Sequence, residues 1–96
     1  MTDRDEAITH LTRLLDALND GGEIAARLTA SVSVPYLTVS NTAERGISDR
    51  VRCRRSAHGT WEYAWGWGPR IAPAGDTETA AAAIRTALRS LSQQAG

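Results

Sequence analysis

The chain has 96 residues, which suits one domain over residues 1–96 and excludes two independently folded ones. Its eleven basic residues, all arginine, balance eleven acidic residues. The whole molecule therefore exerts no net long-range attraction on nucleic acid or an anionic membrane, and such a partner must meet a local patch. The lone cysteine excludes an internal disulfide, and an acidic N-terminus without a long apolar run predicts a cytoplasmic protein.

The first predicted element is a helix, which Thr2 or Asp3 can cap and whose first turn is favoured by Asp5 and Glu6. Asn19–Gly22 ends it, because glycine accepts the left-handed conformation that closes helices. Apolar residues at three- and four-residue spacing mark one buried stripe on this helix: Ile8, Leu11, Leu14, Leu15 and Leu18.

Strands are predicted next, since the apolar period changes from helical spacing to alternation. Residues 23–29 indicate a half-buried strand, with a continued helix as the alternative. A second strand follows at Pro35–Ser40, and Asn41–Gly46 is predicted to be a polar loop. The third strand, Ser48–Arg55, directs Val51 and Cys53 to one face and Arg50, Arg52 and Arg54 to the other.

A fourth strand is predicted over Thr60–Trp67, followed by a loop over Gly68–Gly75 and a final helix that Asp76 or Thr77 caps. The predicted buried positions of this helix are mostly small: Ala80, Ala81, Ile84, Ala87, Leu88 and Leu91. We therefore predict an α+β fold of two layers, in the order α-β-β-β-β-α, with an antiparallel sheet and both helices on one face.

Aromatic residues dominate the fourth strand. Trp61, Tyr63, Trp65 and Trp67 are spaced by two and share one face of it. A three-residue hairpin loop over 57–59, with Gly59 left-handed, pairs Cys53 with Tyr63 and Val51 with Trp65, so that the aromatics join the core. A loop of two or four residues would instead place them beside the arginines, on an exposed surface suited to stacking on bases or on a partner.

Catalytic and metal chemistry find little support. Cys53 is the only candidate thiol, and the apolar face predicts that it is buried. His58 lies at a hairpin tip and His10 at the edge of a helical stripe, and neither has a second ligand at metal spacing. We predict no catalytic residue, no metal and no cofactor.

Binding is the more promising class. The candidate site combines Arg50, Arg52 and Arg54 on one strand face with Glu62 and, on a neighbouring strand, Arg27. We expect a non-catalytic protein-binding or regulatory module, most simply a homodimer or a complex with another protein. Two alternatives remain: a nucleic-acid-binding domain that uses the arginine face, and a small-ligand site lined by Trp61, Tyr63, Trp65 and Trp67.

Several families share parts of this pattern. The order of elements and the helix at Ala80–Leu88 resemble the double-stranded RNA-binding domain, but Asp76, Thr77, Glu78 and Thr79 stand where that family has lysines for phosphate. The Trp-rich strand Gly59–Trp67, followed by Ile71-Ala72-Pro73, resembles small uncharacterised actinobacterial proteins, which implies no specific activity. The layered α-β-α order is also similar to dimeric binding modules of the secretion-chaperone type.

Overall fold

The fold was analysed in a computed structural model, which describes the backbone of residues 3–31, 33–42 and 44–95 and the side chains of 3–31, 33–42 and 48–90. The elements in chain order are α1 (Asp3–Asp20), β1 (Ile24–Thr29), β2 (Tyr36–Asn41), β3 (Glu44–Arg55), β4 (Trp61–Trp65), β5 (Arg70–Pro73) and α2 (Thr77–Ala95). The predicted cap at Thr2 and the predicted burial of Leu91 fall outside the described residues.

The five described strands form one antiparallel sheet in the order β1-β2-β3-β4-β5, so each strand pairs with its neighbours in the chain. Both helices pack on the same face of this sheet and against each other. The predicted α+β class with an antiparallel sheet and helices on one face is confirmed. The opposite face of the sheet carries no element of the described chain and is called the open face below.

The element ends follow from local chemistry. Gly22 is left-handed, with φ of 73°, and its N–H donates to the Asn19 carbonyl at 3.3 Å as α1 ends. Asp76 caps α2, because its Oδ1 accepts from the Thr79 N–H at 3.3 Å. Between β3 and β4, Gly59 has φ of 83° and Ser56 N–H donates to the Thr60 carbonyl, which closes the predicted hairpin loop.

The prediction of four strands was incomplete, since Arg70–Pro73 forms a fifth strand where a loop was expected. Gly68 adopts φ of 135° and donates to the Trp65 carbonyl at 3.0 Å, which ends β4 two residues before the predicted end at Trp67. The chain then returns beside β4 across a bulge between Tyr63 and Ala64. The polar loop predicted at Asn41–Gly46 is also shorter, because β3 begins at Glu44.

The core lies between the helices and the sheet. Tyr63 is its largest fully buried side chain, and its hydroxyl donates to the His10 carbonyl of α1 at 2.7 Å and lies 3.4 Å from Thr77 Oγ1 of α2. One aromatic residue of the sheet is thus tied to both helices. The other fully buried large side chains are Leu11, Leu14, Leu18, Ile24, Leu37, Val39, Val51, Ile84 and Leu88.

We predict that Tyr63→Phe lowers the free energy of unfolding by about 1 kcal/mol, because it removes the hydroxyl that joins sheet and helices while retaining the ring. Urea-induced unfolding followed by tryptophan fluorescence measures this. Tyr36→Phe is the matched control, since Tyr36 is half-buried on the open face and donates no described hydrogen bond. Equal stability of both variants and the native protein would contradict the role given to the Tyr63 hydroxyl.

Candidate functional site

The open face is built by strand register. β3 and β4 pair Cys53 with Tyr63 and Val51 with Trp65, which confirms the predicted hairpin register. Because side chains alternate along a strand, this register directs Arg50, Arg52 and Arg54 away from the helices. Glu62 and Ala64 of β4 share that face with the arginines.

Lateral rows across the sheet bring further residues to the open face. Arg27 of β1 pairs with Thr38 of β2, and Thr38 pairs with Arg50 of β3. Arg70 of β5 pairs with Ala64. Two strand spacings separate Arg27 from Arg50, about 10 Å between backbones, and Arg50 lies about 7 Å from Arg52 along β3. The described part of the open face thus carries five arginines and one glutamate.

The half of the open face around β4 and β5 contains an ion-paired carboxylate, Glu62. Glu62 is only 8% exposed and accepts from Arg54 Nε at 2.9 Å, while Arg70 Nε lies 3.4 Å from its other oxygen. The buried carboxylate is therefore held by two guanidinium groups, as a charge removed from water requires. Arg54 and Glu62, two of the predicted binding residues, serve here as a structural ion pair.

In the other half, around β1, β2 and β3, the described residues include no carboxylate that pairs with the arginines. No described carboxylate lies within ion-pair distance of Arg27, Arg50 or Arg52. The Arg50 guanidinium lies 4.6 Å from the centre of the Tyr36 ring, a cation–π contact. Arg52 donates to the Gly66 carbonyl at 3.3 Å, and its buried Nε has no hydrogen-bond partner in the described structure. We call Arg27, Arg50, Arg52 and Tyr36 the arginine patch.

A recess of about 410 Å³ opens beside this patch. It is lined by Ser33, Val34, Tyr36, Arg50, Arg52 and Gly66. Val34 is 54% exposed, so the recess combines an apolar wall with two guanidinium groups. Ser33 and Val34 come from the β1–β2 connection, which the sequence analysis did not single out.

The four aromatic residues proposed for a ligand pocket do not form one. Tyr63 is fully buried, Trp61 and Trp65 pack at the edge of the core, and Trp67 is 70% exposed beyond the end of β4. The Trp61 indole donates to Glu6 on α1, and the Trp67 indole donates to Asp49 at 2.9 Å. Of this set, Trp61 lines a small cavity of about 270 Å³ at the sheet end, together with Val34 and Cys53.

Burial shifts the pKa values of two candidate catalytic side chains, Cys53 and His10. Burial and, to a smaller extent, the Glu62 carboxylate raise the pKa of the Cys53 thiol to about 12. Burial lowers the pKa of His10, Arg13 lowers it further, and Glu6 opposes them. His58 is exposed at the hairpin tip. Among the described side chains, no group of three His, Cys, Asp or Glu residues converges to hold a metal ion.

No helix in the described residues has both the length and the apolar character needed to cross a bilayer.

Comparison with known protein families, curated proteins and solved structures finds no match to this chain.

We predict that stability falls with rising pH above about 9, and that Cys53 causes part of this fall. An unfolded cysteine ionises near pH 9.0, whereas the native thiol keeps its proton to about pH 12, so alkaline conditions favour the unfolded state. The loss approaches about 1.4 kcal/mol per pH unit between these values.

Urea unfolding on both sides of pH 9 checks this, with Cys53→Ala as the comparison that removes the thiol. The native protein should lose more stability than the variant over the same pH interval. Equal losses would contradict the protonated, buried thiol, as would rapid alkylation of Cys53 by iodoacetamide in the folded protein at pH 8.

Proposed function

We propose that this protein is a non-catalytic binding module whose open sheet face receives an acidic segment of another protein. The observation that carries the proposal is the contrast within one sheet. Glu62 pairs with both Arg54 and Arg70 and leaves one net positive charge there, whereas Arg27, Arg50 and Arg52 have no described carboxylate partner. Unpaired guanidinium groups side by side repel each other, and an anionic partner relieves that repulsion.

The spacing of the arginine patch suits a polypeptide. Arg50 and Arg52 lie about 7 Å apart along β3, which equals the distance between alternate residues of an extended chain. Carboxylates at alternate positions of a partner segment can therefore meet both guanidinium groups, and arginine binds carboxylates with two parallel hydrogen bonds.

A second copy of this chain is the less suitable partner for this face. A symmetric dimer through the open face would set Arg27, Arg50 and Arg52 of each copy against their equivalents. The β1 edge is also partly occupied, because the Asn19 side chain accepts from the Ala26 N–H at 3.1 Å and Arg4 donates to the Ala30 carbonyl. We therefore favour a different protein over a homodimer.

A nucleic acid is the second candidate, favoured by the stacking of Arg50 on Tyr36 next to two further unpaired arginines. Single-stranded nucleic acids are held by such combinations of aromatic rings and cations. The balanced net charge of the chain favours the protein partner, because it adds no long-range attraction for a long polyanion beyond the local patch.

We predict that a fluorescein-labelled peptide of alternating glutamate and threonine binds the native protein and that its glutamine analogue does not. Combined Arg27→Gln, Arg50→Gln and Arg52→Gln substitutions should weaken binding about tenfold, and at least about threefold, since each of the three charged contacts contributes about 0.2–1 kcal/mol. Fluorescence anisotropy at two ionic strengths measures the affinity, which should fall as salt rises.

Arg13→Gln is the control for the loss of an arginine outside the patch, because it removes one positive charge from the exposed side of α1, and it should leave the affinity unchanged. An oligodeoxythymidine of equal charge is the competing probe. If the oligonucleotide binds more tightly than the peptide, the partner is a nucleic acid and not a protein. If neither probe binds at low salt, the proposed function is refuted.

A further inference from the structure

The recess beside the arginine patch differs from the rest of the open face in having an apolar wall. Val34 is one of two large apolar side chains that are strongly exposed in the described chain, and it faces the same cavity as Tyr36. A solvated charged face does not require an exposed isopropyl group next to a guanidinium. This combination is typical of binding sites with an apolar anchor and a few oriented polar groups.

The floor of the recess depends on Gly66. Its N–H donates to the Arg50 carbonyl at 2.7 Å, and a Cβ added at Gly66 would lie 3.0 Å from Arg50 Cβ. With a larger residue there, Arg50 would have to shift by a few tenths of an ångström. Gly66 also lines the recess, whose volume of about 410 Å³ is near the lower end of the size range of ligand sites.

The two arginines in the recess, Arg50 and Arg52, have different surroundings and can therefore make different contacts with a partner. The Arg50 guanidinium lies over the Tyr36 ring, and because the Arg50 side chain is exposed, a second ring can approach it. Arg52 is half-buried, is oriented by its bond to the Gly66 carbonyl, and has a buried Nε without a partner. An incoming carboxylate would compensate the charge of this guanidinium, which no described carboxylate pairs.

We propose that the recess binds an aromatic side chain of the acidic partner, with the ring between Val34 and the Arg50–Tyr36 stack and a neighbouring carboxylate on Arg52. This inference rests on the proposed function and makes its partner more specific: an acidic segment that contains an aromatic residue. The ring supplies apolar burial and cation–π energy, which the carboxylates alone do not provide. The arginine patch then makes binding depend on the negative charge of the partner segment, and the recess makes it depend on an aromatic residue in that segment.

The test compares three labelled peptides that share the alternating glutamate sequence and carry tryptophan, leucine or alanine at one central position. The native protein should bind the tryptophan peptide about tenfold more tightly than the alanine peptide, and the leucine peptide should lie between them. Anisotropy at fixed ionic strength gives the ratio of the affinities. This ratio is the quantity of interest, since the charge of the peptides is the same.

Two substitutions locate the preference. Arg50→Lys retains the charge but loses the planar guanidinium, so both affinities fall modestly and the tryptophan-to-alanine ratio falls from about ten to about three, the part that burial against Val34 supplies. Val34→Thr replaces the exposed apolar wall by a side chain of similar shape and should lower the ratio at least about threefold. Arg13→Lys on α1 is the matched control and should leave the ratio unchanged.

The possible outcomes separate the two proposals. If all three peptides bind equally and binding still requires the arginine patch, the recess proposal is refuted and the proposed function stands. If tryptophan increases the affinity equally in the native protein and in Arg50→Lys and Val34→Thr, the ring binds elsewhere and the recess proposal is again refuted. If no peptide binds, the proposed function itself fails.

Discussion

The register between β3 and β4 determines which side chains of these strands are buried in the core and which lie on the open face. Strand side chains alternate, so one residue more or less in the hairpin loop would exchange the two faces of β4. Gly59 in the left-handed conformation fixes the loop, and the pairing of Cys53 with Tyr63 follows from it. The same register that buries Tyr63 beneath the helices therefore exposes Arg50 and Arg52. Core stability and surface charge have one common cause.

The net charge of the chain is zero, but the acidic and basic residues are distributed unevenly over its surface. α1 carries five acidic and two basic residues, whereas the described open face carries five arginines and one glutamate. Some contacts cross between the layers at their ends, such as the ion pair of Arg55 with Asp3 at 3.1 Å and that of Arg89 with Glu23 at 2.7 Å. These exposed pairs add little stability but orient the helices over the sheet. The acidic and basic surfaces point in opposite directions.

Local signals in the sequence were sufficient for much of the fold, and pairing between distant residues was not. The glycine at the end of α1, the cap at Asp76 and the parity of the hairpin loop each act within a few residues, so their chemistry is readable in the sequence. β5 was missed because it depends on the turn at Gly68 and on a bulge in β4, and its prolines argue against a strand. The arginine face was predicted correctly, because Arg50, Arg52 and Arg54 alternate with apolar residues along β3. The recess was not, because Val34 reaches it from a connection whose path only the fold determines.

The pairing of Glu62 is the observation on which the proposal for the remaining arginines depends most. If the open face served only solubility, interspersed charges of both signs would be the simplest arrangement, and one half of the face has it. There, a nearly buried carboxylate joins Arg54 to Arg70 across three strands. The other half repeats the cations without the carboxylate and adds an aromatic ring and an apolar side chain. Within a single sheet, the half with Glu62 carries two arginines and one carboxylate, whereas the described residues of the other half carry three arginines and no carboxylate. This excess of positive charge is the feature from which the proposed acidic partner is inferred.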